Sequence, residues 1–137
     1  MTEADAVDAA RRLIGLRGCE DRHHVAAAVL TRGGARYCAL NLESVLGRAA
    51  ICAEAVAVGM ALAAEDGAEI AFSVAVNRRG EVIPPCGPCR ELLADYGPAA
   101  RVAVPGGSDY QVVTLPTLLP HAYKAALRGR PGGEEGA

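Results

Sequence analysis

The sequence has no tryptophan, one phenylalanine and four tyrosines, so it offers few rings on which the bases of a polynucleotide could stack. It has no excess of positive charge either. Fourteen basic residues face 16 acidic ones, for a net charge of −2, and no basic stripe runs along the chain. The two shortages together argue against a nucleic-acid surface. Long hydrophobic runs are missing as well; none approaches the roughly 18 residues that a membrane-spanning helix needs. Met1 to Asp8 is acidic and lacks the basic start of a secretory signal. A cytoplasmic protein is expected, with neither nucleic acid nor membrane as a partner.

What is present is a chain of 137 residues, 51% of them apolar. That supports one packed domain and is too short for two. Much of the apolar fraction is alanine, which suits close packing of helices on a sheet. Residues 4–17 place Val7, Ala10, Leu13 and Ile14 at helical spacing. Val25 to Leu30 and Ala35 to Leu40 flank Gly33-Gly34 and read as a hairpin. Residues 41–50 read as a loop. Residues 51–66 are apolar on nearly all sides and too long for a strand, so a buried helix is expected. Ile70 to Val76 reads as a strand, 77–85 as a loop, and 87–96 as a helix with Pro88 in its first turn and Gly97-Pro98 as its stop. Val102 to Val104 and Tyr110 to Thr114 are short strands around Pro105-Gly106-Gly107, and a last helix is expected over 118–127. The domain is thus expected to fill 1–127, with 128–137 a disordered tail.

Five cysteines, at 19, 38, 52, 86 and 89, make an odd number, which in a cytosolic chain points to metal, redox or nucleophilic use rather than a disulfide framework. Cys86-Gly87-Pro88-Cys89 alone is ambiguous between half of a zinc site and a redox dithiol. Position weighs against the redox reading, because only 48 residues follow Cys89, too few for the α/β domain that such a dithiol opens. Cys52-Ala53-Glu54 stands at the expected start of the buried helix, so both cysteine clusters fall at helix N-termini, where the macrodipole favours thiolate. Three thiolate ligands leave a fourth tetrahedral position open, the arrangement of a catalytic zinc, which lowers the pKa of bound water to about 7. Glu54, two residues beyond a ligand, can reach over the open position and move protons. Two alternatives stay open at this level. Cys38 or Cys19 could complete a closed structural zinc site, with Glu54 an ordinary helix-start acid. Cys38 otherwise reads as a small buried hydrophobe and Cys19 as a loop or core thiol. His23 and His24 alternate at a strand start, so at most one faces inward.

Cys52-Ala53-Glu54 followed by Pro85-Cys86-Gly87-Pro88-Cys89-Arg90 resembles the cytidine deaminase family, whose zinc chemistry uses a non-ligand Glu and a Pro-Cys-x-x-Cys pair. The resemblance extends over residues 23–123. It implies an α/β fold of cytidine deaminase type, three-layered α/β/α with a central mixed five-stranded sheet. It also implies one zinc per subunit on Cys52, Cys86 and Cys89, Glu54 as acid/base, and the Ala53 backbone N–H donating to the base carbonyl. The expected partner is a small nucleoside, cytidine or deoxycytidine, as in pyrimidine salvage. Asn41-Leu42-Glu43 resembles the family's Asn-x-Glu segment, which holds a ribose hydroxyl. Leu118-Leu119-Pro120-His121-Ala122-Tyr123 is similar to its C-terminal segment, whose aromatic reaches a neighbouring subunit in the homotetramer. Departures are visible. His23 or His24 stands where an aromatic is common, Ala55 and Glu91 stand where Arg and Gln are usual, and Arg90 matches the family's second arginine. The helix from Cys52 is also similar to blasticidin S deaminase, so a modified cytosine nucleoside is the alternative substrate. The non-enzyme alternative is a zinc-stabilised structural domain, in which the Glu54 carboxylate would be dispensable.

Overall fold

Thr2 starts the first helix, α1 (Glu3–Arg17), through a reciprocal cap: its hydroxyl accepts from the Asp5 N–H, and the Asp5 carboxylate accepts from the Thr2 N–H. The structure, a computed structural model, describes residues 1–123. After α1 the chain forms the hairpin β1 (Val25–Thr31) and β2 (Arg36–Leu40), a short 3-10 turn (Gly47–Ala49), and α2 (Ala53–Ala64). Strands β3 (Ile70–Asn77) and β4 (Val82–Ile83), helix α3 (Gly87–Tyr96), strands β5 (Arg101–Gly106) and β6 (Asp109–Thr114), and α4 (Leu115–Leu118) follow.

The main sheet runs β2-β1-β3-β5-β6, five strands in a mixed arrangement. Only β3 and β5 are parallel, and the chain between them passes through α3. Strand alternation divides β1 between two cores. Ala26, Ala28 and Leu30 pack with Ala6, Val7, Ala10 and Ile14 of α1 on one face. Val29 packs on the other face with Ala57, Val58 and Ala61 of α2 and Leu93 of α3. The result is the expected three-layer α/β/α sandwich. Alanine matters here because a residue without a long side chain lets helix and strand approach closely; Ala26, Ala27 and Ala28 are all fully buried.

Four details depart from expectation. Within 77–85, read as a loop, Val82 and Ile83 pair with Val76 and Ala75, adding β4 as a sixth strand off the main path. Pro105 and Gly106 continue β5, so the turn to β6 is Gly107-Ser108, with Gly107 at a left-handed φ of 58°. The last helix covers Leu115–Leu118, not 118–127: Pro116 fits its first turn, Pro120 has no N–H to extend it, and 119–123 are not helical. The remainder of that expected helix and the expected tail lie outside the described residues. Finally, α2 is buried on one face only; Gly59, Met60, Ala63 and Ala64 are exposed.

Candidate active site

Two helices on the same face of the sheet present their N-termini to each other. Cys52 is the N-cap of α2, Cys86 is the N-cap of α3, and Cys89 lies in the first turn of α3. The Cβ of each cysteine therefore projects from a helix end rather than a helix side. The three Sγ atoms lie within 4.8 Å of one another, with Cys52 and Cys86 3.4 Å apart. Among the described residues this is the one group of three or more His, Cys, Asp or Glu side chains close enough to share a metal ion. Cys38 packs with the α1-side core, across the sheet from α2 and α3, and Cys19 is exposed in the loop after α1. Neither joins the cluster, so a four-thiol site has no fourth member.

Glu54 occupies the first turn of α2 and is only 5% exposed. Its carboxylate accepts hydrogen bonds from its own backbone N–H and from the Cys89 thiol, yet burial outweighs both and holds its pKa above the usual carboxylate range. The thiols shift upward too. Burial, then the Glu54 carboxylate, raise Cys89; burial, then the Cys86 thiol, raise Cys52. The helix N-termini favour thiolate, but from the chain's own groups alone desolvation and mutual proximity outweigh them. A divalent cation reverses that balance, because a coordinating thiol is deprotonated outright.

The cluster opens into a cavity of about 280 Å3 whose lining includes Cys52, Cys86, Glu54, Ala53, Asn41 and His24. An antiparallel bridge between Leu42 and Ile51 closes one wall, while Ile83 of β4 and Pro84 form another. Ala53 stands in the first turn of α2, where backbone N–H groups have no intrahelical partner. Asn41 lines the cavity but has its amide engaged with main chain. Its Oδ1 accepts from the N–H groups of His24 (2.8 Å) and Val25 (3.1 Å), and its Nδ2 donates to the Arg22 carbonyl (3.1 Å). Glu43 does not line the cavity. Its Oε1 accepts from the Ser44 N–H, and its Oε2 lies 3.7 Å from His24 Nε2. Of the two histidines, His24 faces the cavity; His23 instead places Nδ1 2.9 Å from the Asn41 carbonyl.

Arg90 donates from Nε to the Pro85 carbonyl (2.9 Å) and from Nη1 to the Leu118 carbonyl (3.0 Å). It ties the residue before Cys86 to the end of α4. Tyr123 is exposed. Sequence reasoning missed the walls made by Ile51, Ile83 and Pro84. The Pro84-Pro85 pair was the available signal, since it fixes the approach to Cys86.

No protein-family model matches the chain. It is 33% identical over 128 residues to the blasticidin-S deaminase of Bacillus cereus, a match covering 88% of this chain and 91% of that protein. It is also 32% identical over 106 residues to the cytidine deaminase of Halalkalibacterium halodurans, covering 76% of this chain and 80% of that protein. The chain belongs to the cytidine deaminase family. Among solved structures, the cytidine deaminase of Burkholderia pseudomallei superposes with a TM-score of 0.75 at 29% identity, covering 90% of this chain and all of that one. That of Mycobacterium leprae gives a TM-score of 0.76 at 25% identity, covering 88% and all. The deaminase is therefore a hydrolase acting on the C–N bond of a cyclic amidine. That sets aside the reading of the chain as a non-enzymatic structural domain.

Proposed function

We propose that this deaminase is zinc-dependent, holds one zinc per subunit on Cys52, Cys86 and Cys89, and converts cytidine and deoxycytidine to uridine and deoxyuridine with release of ammonia. The observation that carries the reading is the convergence of three thiols within 4.8 Å at two helix N-termini, with a buried carboxylate against them and a cavity above. The donor set fits the metal: thiolates suit zinc, and three protein ligands are the number found in catalytic rather than structural sites. When bound, zinc supplies a Lewis acid that makes water nucleophilic near neutral pH.

The chain's own residues do the rest. Glu54 takes a proton from the attacking water at its carboxylate and passes it to the ring nitrogen beside C4. Glu54 then takes the remaining proton from the hydroxyl added at C4 and delivers it to the leaving amine as the C4–N bond breaks and the C4 carbonyl forms, so that water is consumed and ammonia and the keto product leave. Its raised pKa suits a group that must both accept and give up a proton. The unpaired Ala53 N–H donates to the base carbonyl and fixes the face presented to Glu54. Glu43 accepts from a ribose hydroxyl at the cavity mouth, and Asn41 borders the same side.

Assembly as a homotetramer is supported by exposed apolar side chains around the cavity mouth and on α2, Leu42, Val45, Leu46, Ile51 and Met60, which a neighbouring subunit can cover. In such an assembly Tyr123 reaches a neighbour's base pocket. Five cysteines without a disulfide fit the reducing cytoplasm, and pyrimidine salvage is the setting.

A second substrate, blasticidin S, is favoured by one observation: the 33% identity to a blasticidin-S deaminase extends over nearly the whole chain. An ammonia-release screen of the purified protein on cytidine, deoxycytidine, blasticidin S and adenosine separates the two. Cytidine and deoxycytidine should give the highest kcat/KM. A large preference for blasticidin S would replace the first reading with the second, and turnover of adenosine alone would overturn both.

A further inference from the structure

Asn41 and Glu43 form the pair expected to read the ribose hydroxyl, but the two side chains are not equivalent in the fold. The Asn41 Oδ1, which would accept from a sugar hydroxyl, is already shared by two main-chain donors at 2.8 and 3.1 Å. Those bonds fix the backbone at the start of β1 and so present the His24 side chain to the cavity. The Glu43 carboxylate is held at Oε1 by the Ser44 N–H, which leaves Oε2 turned towards His24.

We infer that His24 joins Glu43 in reading the sugar hydroxyl, and that Asn41, whose Nδ2 keeps one N–H beyond its bond to the Arg22 carbonyl, also holds His24 in place through its Oδ1. The inference rests on the sugar-reading role proposed for Glu43. A hydroxyl is at once donor and acceptor, whereas a carboxylate only accepts and an imidazole with its proton on Nε2 donates. His24 Nε2 and Glu43 Oε2 are 3.7 Å apart, too far for a hydrogen bond to each other. They are close enough for one hydroxyl oxygen to sit about 2.8 Å from both, with an angle of roughly 80° between its two hydrogen bonds. Opening the pair to about 4.6 Å brings that angle to tetrahedral. Both side chains have room to move, being 43% and 42% exposed. The hydroxyl then donates to Oε2 and accepts from Nε2–H, so neither group is left unpaired when substrate covers the mouth. A phenyl ring at position 24 packs in the same place but cannot donate. The imidazole therefore converts a packing position into one that specifies a hydroxyl.

The test compares kcat/KM on cytidine and on its 3′-deoxy analogue for the parent, His24→Phe, Glu43→Ala and the double variant. His24→Phe should lower kcat/KM on cytidine about tenfold, through KM more than kcat, as expected for one hydrogen bond at a half-exposed site. On the deoxy analogue it should change little, which also reports that the fold is intact. The double variant should lose no more discrimination than Glu43→Ala alone. Equal losses on both substrates for His24→Phe, with Glu43→Ala still abolishing discrimination, would overturn the role of His24 and leave that of Glu43 standing. Discrimination unchanged in Glu43→Ala, or no turnover of cytidine by the parent, would overturn both.

Discussion

Replacing Glu54 by Gln removes a proton carrier while keeping the shape of the side chain. The residue is 5% exposed, so shape matters as much as charge. Gln fills nearly the same volume, but it can neither take a proton from water nor return one to the amine. A general acid–base group contributes about 10²–10⁴-fold to rate. At 1.36 kcal/mol per decade, that is about 3–5 kcal/mol of barrier. The effect on metal has the opposite sign. The Glu54 carboxylate is one of the causes that raise the Cys89 thiol, so a neutral side chain makes Cys89 easier to deprotonate and a better ligand. Nor should stability fall, because the variant no longer buries a carboxylate. Steady-state deamination of cytidine and zinc analysis by atomic emission, run on the same preparation, check the pair of expectations: kcat down by at least a hundredfold, and zinc content unchanged. Activity within a few-fold of the parent would refute the reasoning, for Glu54 would then be only an acid favoured by the start of a helix.

The remaining predictions concern the ligands and the fold. Cys89→Ala should lose stoichiometric zinc, and its thermal midpoint should fall below that of the zinc-loaded parent, because metal bound only by the folded state adds to stability; retention of zinc at parental affinity would remove Cys89 from the site. Leu93→Ala empties a fully buried position beneath α2 and should cost about 2–5 kcal/mol in urea unfolding, whereas less than 1 would mean that the layer collapses to fill the space. Gly97→Ala should destabilise as well, since a Cβ there would overlap the Ile70 carbonyl oxygen at the end of α3; an unchanged unfolding midpoint would show that the helix end can shift away from β3.

Much of this site was legible in the sequence, because helix starts leave strong local marks. Pro88 and Gly97 bracket α3 at both ends, and observed α3 is residues 87–96 as expected. Cys52 and Cys86 fall at the two N-caps, since the apolar periodicity begins directly after each. The hairpin and the five main strands follow from short apolar runs between turn residues. What was not legible depended on tertiary context. Two residues, Val82 and Ile83, are too few for a pattern and become a strand only because β3 offers an edge. The burial of α2 was overread: its composition is apolar all round, but in a single chain only the face carrying Ala57, Val58 and Ala61 finds a partner. The engagement of Asn41 with main chain and the turn of His24 towards the cavity are set by the meeting of β1 with the loop after β2. Spacing along the chain has no way to report that meeting.

The central claim is that turnover depends on one zinc held by the three thiols. Its most direct test is to strip the protein with a chelator, titrate zinc back, and follow conversion of cytidine to uridine at each addition. Activity should be absent from the stripped protein, rise in proportion to added zinc, and level off at one equivalent per chain. Full activity in the stripped protein, or a plateau at a stoichiometry other than one, would contradict the account.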